Sequence, residues 1–227
     1  MAAEFGTLLN VLQHGDSFFP SGAVSFSWGL EALVESGSLS TPEMIEAFIA
    51  GQLQSRWACY DRTVLLAAHA RADDLDAVAD IDHLVELTTS AAELRRASRR
   101  MGEAMLSVFA RLDDPLAASY RARVKAGDAC GHISVMQGML WAHAGLPEAE
   151  ALALSAHTFC TGLLGAGLRL GCLTHIDSQR LLHMARAEAT RLAAEPVVPL
   201  DAISAHGIEA EIAVMRHASQ DLRLFSN

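Results

Sequence analysis

Positive charge is scarce in this chain of 227 residues, which carries 17 lysines and arginines against 27 aspartates and glutamates. The net charge of −10 argues against nucleic acid or an anionic membrane as the main partner, because both attract positively charged surfaces. Lys125 is the only lysine, and it follows Val124. The Gly-Lys-Ser/Thr sequence of a P-loop is therefore absent, which excludes an ordinary P-loop NTPase.

The local sequences of other enzyme classes are missing as well. There is no His-Glu dipeptide, which excludes an HExxH zinc helix, and there is no GxSxG elbow. The four cysteines contain no CxxC pair: Cys59, Cys130, Cys160 and Cys172. This spacing is typical of reduced thiols in a cytosolic protein, and the first residues lack the order of a signal peptide. We expect a cytoplasmic protein, and we assign no catalytic residues.

One apolar stretch approaches the length of a membrane span. Residues 151–168 contain no Asp, Glu, Lys or Arg, and about 20 such residues are needed to cross a bilayer. The stretch includes His157, several hydroxyl side chains and three glycines, all of which weaken membrane insertion. A buried core helix is the better interpretation, so no membrane partner is expected.

Helical periodicity dominates the chain. No stretch alternates at a period of two for more than four residues, whereas apolar residues recur at helical spacing in several segments. Three sets illustrate this pattern: Ile45, Phe48, Ile49, Leu53 and Trp57 after a Thr41-Pro42 start; Leu94, Met101, Met105, Val108, Phe109 and Leu112; and Ile208, Ile212, Met215 and Leu222. The sequence predicts an all-α, single-domain bundle of roughly eight to ten helices over residues 1–227.

Four glycines are predicted to lie inside an apolar helix: Gly162, Gly165, Gly167 and Gly171. Each costs up to about 1 kcal/mol relative to alanine inside a helix. We expect them to permit close approach of a neighbouring helix. Phosphate binding is disfavoured because no strand precedes them.

Two clusters of polar residues are candidates for binding. Cys130 and His132, with Asp128 beside them, form the only local group with metal-ligand chemistry. We treat Cys130 and His132 as weak metal candidates, because lone histidines are more often hydrogen-bonded residues, and we expect no tightly bound cofactor. The second cluster is a basic patch, interpreted either as a solvated face or as a surface for an acidic partner: Arg95, Arg96, Arg99 and Arg100.

Two further segments carry more apolar residues than a helix bundle requires. The first runs from Asp16 to Glu31 and places large aromatic residues around a Pro20-Ser21-Gly22 turn. The second runs from Met215 to Asn227 and keeps Leu222, Leu224 and Phe225 near its end, where chains are usually polar and frayed. We expect these apolar side chains to be covered by another polypeptide.

These segments resemble the UreF family of urease accessory proteins. The first resembles the family's D-S-x-x-P-x-G-x-F-x-x-S-x-G-L-E signature loop. The central motif, Gly131 to Gly138 around His132, is similar to G-H-x-x-V-x-x-G, and the end resembles M-R-H-E…R-L-F. Within the signature loop we single out Asp16, Phe19, Pro20, Gly22, Phe26, Ser27, Gly29, Leu30 and Glu31.

Five positions depart from the family pattern: Val24 for an aromatic residue, Phe26 for His or Tyr, Ala218 for Glu, and Ser226-Asn227 for Arg-Ser. We therefore carry over no contact that depends on the usual polar ring, carboxylate or terminal arginine.

The resemblance implies a non-catalytic, all-α scaffold that dimerises, binds UreD (also called UreH) and recruits the GTPase UreG. The complex would dock on apo-urease and support GTP-dependent nickel insertion. Residues 216–227 would be a partner-binding segment, in which we single out Arg216, His217, Leu222, Arg223, Leu224 and Phe225. Two alternatives remain open: a GTPase-activating or fidelity regulator of UreG, which would present an arginine, and a nickel-binding carrier.

Overall fold

A computed structural model describes residues 2–16, 18–20, 26–205, 207–217 and 225. Within these residues the chain is helical and contains no strand. The prediction of an all-α fold is confirmed.

Eleven α-helices follow one another in the described residues. Their bounds are α1 Ala2–Gly15, α2 Leu30–Glu35, α3 Pro42–Gln52, α4 Arg62–His69, α5 Leu75–Thr88, α6 Ala92–Arg111, α7 Pro115–Ala126, α8 Ile133–His143, α9 Glu148–Arg169, α10 His175–Ala193 and α11 Ile208–His217. A π-helix, Leu53–Asp61, joins α3 directly to α4, and a 3₁₀ turn, Leu200–Ala202, precedes α11. Counted with its π-helix, α3–α4 is one continuous element, which gives the ten helices at the upper end of the predicted range.

Helix starts follow the expected capping chemistry. Thr41 caps α3 by accepting a hydrogen bond from the backbone N–H of Met44, with Pro42 at the first helical position. Asp114 caps α7 in the same way through the N–H of Ala117. These side chains satisfy donors that a helix leaves unpaired in its first turn.

The π-helix is the local feature that periodicity did not predict. Ile45, Ile49, Leu53 and Trp57 are buried as expected from their spacing, but the backbone widens after Gln52. The Cys59 thiol donates to the carbonyl of Gln54, five residues earlier. π-Helices are rare, and single-turn π-bulges within α-helices are frequent at functional sites.

The contacts divide the chain into two compact units. Unit 1 comprises residues 1–22, 61–88 and 98–155, and unit 2 comprises residues 23–60, 89–97 and 156–227. Each unit is assembled from three separate chain segments. The assignment of residues 1–227 to one domain stays a prediction.

In unit 1 the closest helix packing joins α4 to α8. Gly138 lies in α8, and a Cβ atom there would be 2.3 Å from the carbonyl oxygen of Leu65. Val135 and Met139 on α8 and Leu65 on α4 are fully buried. Gly138 therefore sets the distance between these two helices.

In unit 2 the short helix α2 packs against α11. Gly29, which precedes α2, has a positive φ of 83°, and a Cβ there would be 2.7 Å from the carbonyl oxygen of Ala210. Leu30 is fully buried and forms a core cluster with Ala166 and Phe225. The family-type Gly29-Leu30 pair therefore holds α2 in place.

The glycines of α9 do not all serve close packing. At Gly167 a Cβ would be 2.6 Å from Leu173 Cδ1, which belongs to the turn after α9 and not to a neighbouring helix. Gly171 has a φ of 71° and forms the turn after the helix. For Gly162 and Gly165 the expectation of a close neighbour is wrong for the described structure, because nothing lies within 4 Å of a Cβ at either position.

By length and composition, α9 is the one described helix that would be able to cross a membrane. Half of the residues in the 18-residue apolar stretch of this helix are buried inside the protein. This burial agrees with the interpretation of a core helix.

Two glycine-to-alanine changes test this packing. Gly138→Ala should lower the free energy of unfolding by about 1–3 kcal/mol, because backbone atoms of α4 would have to move. Gly162→Ala, the matched control in an open helix position, should raise it by about 0.5–1 kcal/mol. Urea unfolding followed by circular dichroism measures both. Equal effects of the two changes would contradict the assigned role of Gly138.

Candidate functional site

The central motif lies in a buried polar network in unit 1. The carboxylate of Asp82, on α5, is fully buried and accepts hydrogen bonds from three successive backbone N–H groups. Cys130 and Gly131 donate to Oδ2 at 2.8 and 2.6 Å, and His132 donates to Oδ1 at 2.9 Å. Backbone N–H groups arranged in this way form a concave anion site. Asp82 therefore fixes the loop that leads into α8.

Tyr120, on α7, closes the network from a third element. Its hydroxyl donates to Asp82 Oδ2 at 3.0 Å. Burial and the neighbouring Asp82 charge raise the pKa of Tyr120 well above its usual value, so the hydroxyl stays protonated as a donor. Four donors thus converge on one carboxylate, which compensates the cost of burying its charge.

His132 extends the network to α5 and α6. Its Nδ1 lies 3.0 Å from Ser98 Oγ, and its Nε2 lies 2.8 Å from Glu86 Oε2. Burial lowers the pKa of His132, although the Asp82 and Glu86 carboxylates oppose that shift. A neutral imidazole here donates from Nε2 to Glu86 and accepts the Ser98 hydroxyl proton at Nδ1.

Two glycines make room for this loop. Gly131 adopts a positive φ of 79°, a conformation that glycine takes without strain. Gly102 on α6 approaches it so closely that a Cβ would be 1.9 Å from the Gly131 carbonyl oxygen. Sequence analysis identified Gly131 but missed Gly102.

The predicted metal-ligand group around Cys130 and His132 differs from the expectation in its third member. Asp128 is not part of the potential ligand group, whereas Glu86 is: the ligand atoms of Glu86, Cys130 and His132 lie within 4.8 Å of one another. Burial and the Asp82 and Glu86 carboxylates raise the pKa of the Cys130 thiol to about 11. The free thiol is therefore protonated and is a poor nucleophile.

The signature loop is divided between the two units. In unit 1, Asp16 Oδ1 accepts the backbone N–H of Phe18 at 2.7 Å, and Pro20 is exposed. Phe19 packs edge-on against His14 at a centroid distance of 5.2 Å, and both rings contact Phe109. Gly22 and Val24 lie outside the described residues.

The second half of the loop belongs to unit 2. Phe26, Ser27, Leu30 and Glu31 are buried almost completely, so four signature residues serve the interior of this unit. Phe26 packs edge-on against Trp28, which also occupies the left-handed region with a φ of 55°. A buried Phe26 therefore replaces the polar ring that the family pattern favours.

Arg56 gives this aromatic group a charged partner within unit 2. It lies in the π-helix, and its guanidinium carbon is 4.5 Å from the centroid of the Trp28 ring and 5.6 Å from that of Tyr60. Cation–π contacts gain strength when they are desolvated, and Arg56 is buried. Sequence analysis missed this group.

The basic patch is engaged within the chain. Arg95 donates to the carbonyls of Thr89 and Ser90 at 2.5 and 3.0 Å. Arg96 pairs with Glu93 at 2.8 Å, and Arg99 lies 3.4 Å from Glu86 Oε1. Arg100 also has a polar or ionic contact. Arg96 and Arg100 nevertheless remain exposed, so the role of this patch, as a solvated face or as a surface for an acidic partner, stays a prediction.

The C-terminal expectation requires one correction. Phe225 is only 3% exposed; its ring packs in the unit 2 cluster, with the Arg169 guanidinium carbon 4.0 Å from its centroid. It is therefore not an apolar side chain awaiting a partner. Arg216 is exposed on α11. The other positions of the segment named in the sequence analysis lie outside the described residues or side chains: His217, Ala218, Leu222, Arg223, Leu224, Ser226 and Asn227.

The sequence contained one usable indication of the network that was not recognised. Val78, Asp82 and Val85 occupy one buried stripe of α5, so a carboxylate interrupts an apolar face. Buried carboxylates require several donors. The partners came from distant segments, 38 to 50 residues away, and were not readable from spacing.

Comparisons with known proteins give the family. The UreF family model matches residues 39–186. The urease accessory protein UreF of Trichodesmium erythraeum is 31% identical over 184 residues, covering 79% of this chain and 79% of that protein. Its counterpart from Yersinia enterocolitica is 26% identical over 224 residues, covering 97% and 98%. The one from Yersinia pseudotuberculosis is 25% identical over 224 residues, with the same coverage of 97% and 98%.

The fold and the network define an all-α protein whose central Gly-His motif is built around a buried carboxylate. Within that class, the chain belongs to the UreF family. The resemblance deduced from the three motifs is confirmed.

Replacement of Asp82 tests the network. Asp82→Asn should lower the free energy of unfolding by about 1–3 kcal/mol, because an amide NH₂ would face a backbone N–H donor. Asp80→Asn, an exposed change on the same helix, should leave stability essentially unaltered. Chemical unfolding of both variants checks this, and a stable Asp82→Asn protein would refute the central role of the carboxylate.

His14 should make the protein less stable at mildly acidic pH. Its Nδ1 is buried without a partner among the described atoms, and burial lowers its pKa. An unfolded histidine takes up a proton near pH 6.5, above the pH at which folded His14 does so. The unfolded state therefore binds more protons in this window, and stability falls as the pH drops through it.

The measurement is the free energy of unfolding between about pH 7 and pH 5 for the parent and for His14→Phe, which retains an aromatic ring. The variant should show a shallower decrease. Identical slopes would contradict the assignment to His14.

Proposed function

We propose that this chain is a non-catalytic accessory protein of urease maturation. It binds UreD (UreH), recruits the GTPase UreG and docks on apo-urease, so that nickel is inserted in a GTP-dependent step. Membership of the UreF family and the names of its relatives as urease accessory proteins support this role. On this proposal the protein acts in the cytoplasm as a homodimer, holds proteins together, and performs no covalent chemistry.

The observation that carries the proposal is the reversed polarity of α1. Its outward face is apolar, with Phe5, Leu8, Leu9 and Leu12 between 51% and 64% exposed. These positions follow the i, i+3, i+4, i+7 spacing of one helix face. A helix that covers only its own unit normally has the opposite arrangement.

The inward side of α1 is correspondingly more polar. His14 is buried, Thr7, Asn10 and Val11 are half-buried, and the Asn10 amide donates to the carbonyl of Ala144 at 3.3 Å. The helix is thus anchored by polar contacts while its largest apolar side chains face outward. Contiguous apolar exposure of this kind marks protein-binding surfaces.

The energetics favour a partner on this face. Burial of apolar surface contributes about 25 cal/mol per Å², so four large, half-exposed side chains supply several kcal/mol when covered. A few such anchors carry most of the affinity of a typical interface. We propose UreD as the polypeptide that covers the α1 face.

We propose that residues 216–227 also bind a partner, but that Phe225 does not take part in the contact. Three residues near the end of α11 are exposed: Ile212, Met215 and Arg216. We propose that they contribute to the partner-binding surface together with the segment. Phe225 would instead anchor the segment to unit 2, through Leu30 and Ala166. The partner contacts are then assigned to Arg216, His217, Leu222, Arg223 and Leu224.

Complex formation with UreD tests this proposal. Purified chain mixed with UreD should elute as one soluble complex in size-exclusion chromatography with light scattering. Leu8→Asp combined with Leu12→Asp should weaken the complex at least tenfold, because two carboxylates would be buried against apolar surface. Leu87→Asp is the matched control: Leu87 is 83% exposed on α5, and its change should leave binding intact.

The same samples measure homodimerisation and GTP-dependent urease activation with UreG and Ni(II). Activation should be lost with the α1 double variant and kept with Leu87→Asp. Absence of a UreD complex with the parent chain, in a folded sample, would overturn the proposed function. Loss of the dimer alone would assign the α1 face to a second copy of the chain.

A further inference from the structure

Three donor atoms of different chemistry meet beside the buried network of unit 1. The Cys130 Sγ, an imidazole nitrogen of His132 and a carboxylate oxygen of Glu86 lie within 4.8 Å of one another. We propose that these three side chains form a binding site for a divalent transition-metal ion of borderline softness, Ni(II) or Zn(II).

The donor set fits such an ion. Imidazole suits both Ni(II) and Zn(II), thiolate is a strong ligand for zinc, and carboxylate completes mixed sites of this kind. With the thiol ionised, Cys130 and Glu86 supply two negative charges, which balance a dication. Arg99, 3.4 Å from Glu86 Oε1, offsets the further charge of Asp82 nearby.

The surrounding network holds the ligands in place before any ion binds. Asp82 fixes the backbone N–H groups of both Cys130 and His132. Glu86 points one oxygen, Oε1, at Arg99 and the other, Oε2, at the imidazole. Outer contacts of this type orient ligands and raise affinity in established metal sites.

Ser98 permits the change of tautomer that metal binding requires. In the metal-free protein the His132 Nε2 proton points at Glu86, 2.8 Å away. An ion bound at Nε2 needs that nitrogen unprotonated, so the proton resides on Nδ1 instead. Ser98 Oγ lies 3.0 Å from Nδ1. With the ion bound, Ser98 Oγ accepts a hydrogen bond from the Nδ1 proton, whereas without the ion the Ser98 hydroxyl donates to Nδ1. The imidazole remains neutral and correctly oriented.

The thiol supplies the proton released on binding. A thiol binds a metal ion as its thiolate, so Cys130 must lose its proton when the ion binds. A metal–sulfur bond forms as the sulfur–hydrogen bond breaks, and that proton leaves to solvent. The affinity for the ion should therefore rise with pH.

The site is also accessible. Cys130 and Glu86 are only half-buried, whereas His132 is fully buried. Three protein ligands leave at least one coordination position for water or for a donor from another molecule, unlike the four-ligand shell of a structural zinc site. The inference concerns the isolated chain and does not depend on the scaffold function, although an exchangeable site is suited to metal transfer.

Metal titration of the purified full chain, stripped with a chelator, tests the site. Calorimetry with Zn(II) and with Ni(II) should show one ion per chain. Binding of Co(II), a spectroscopic substitute, should add a sulfur-to-metal charge-transfer band in the near ultraviolet. Competition between the two ions then shows which is preferred.

Three single variants assign the ligands. Cys130→Ser should abolish the charge-transfer band and weaken binding at least tenfold, and Glu86→Gln should weaken binding while keeping the band. Cys172→Ser is the matched control, since Cys172 is also half-buried, with a thiol pKa raised by burial; it should change neither. Circular dichroism verifies that the variants fold, and His132 is left intact because it is central to the network.

No binding by the folded parent chain would overturn the inference. Binding that survives both Cys130→Ser and Glu86→Gln would also overturn it, because the ion would then occupy other histidines. Formation of the UreD complex by Cys130→Ser is measured separately, so that failure of the metal site and failure of the scaffold are distinguishable.

Discussion

One buried carboxylate organises the central part of this UreF-family protein. Asp82 cannot be buried as a charge without compensation, and the three successive N–H groups of residues 130–132 provide most of it. That requirement determines the path of the loop into α8. It also places Cys130 and His132 beside Glu86, so the candidate metal ligands are positioned as a consequence of how Asp82 is satisfied.

The central family motif can now be understood position by position. Gly131 supplies the positive φ at which the chain turns around Asp82, and His132 connects α5 to α6. Val135 is fully buried, and Gly138 allows α8 to touch the backbone of α4. The motif therefore encodes a turn, a polar bridge, a core contact and a helix spacing, each with its own physical reason.

The proposed partner surface is a different part of the molecule, helix α1. The apolar side chains of α1 face outward, while Phe225, expected to be exposed, lies in the core of unit 2. An apolar residue near a chain end is covered by whichever apolar surface it can reach. Here Leu30, Ala166 and the ring-stacked Arg169 provide that cover, and α1 has none among the described residues.

The sequence alone determined the features that depend on interactions between residues close together in the chain. The period of apolar residues gave the helical class, Thr41-Pro42 marked a helix start, and three ordered motifs indicated the family. Each of these signals depends on neighbouring residues. Contacts between distant segments were decided only by tertiary structure. The partners of Asp82, the opposite packing roles of Gly138 and Gly162, the outward face of α1 and the burial of Phe225 all depend on which surfaces meet. Residue spacing carries no information about surfaces contributed by segments far away in the chain.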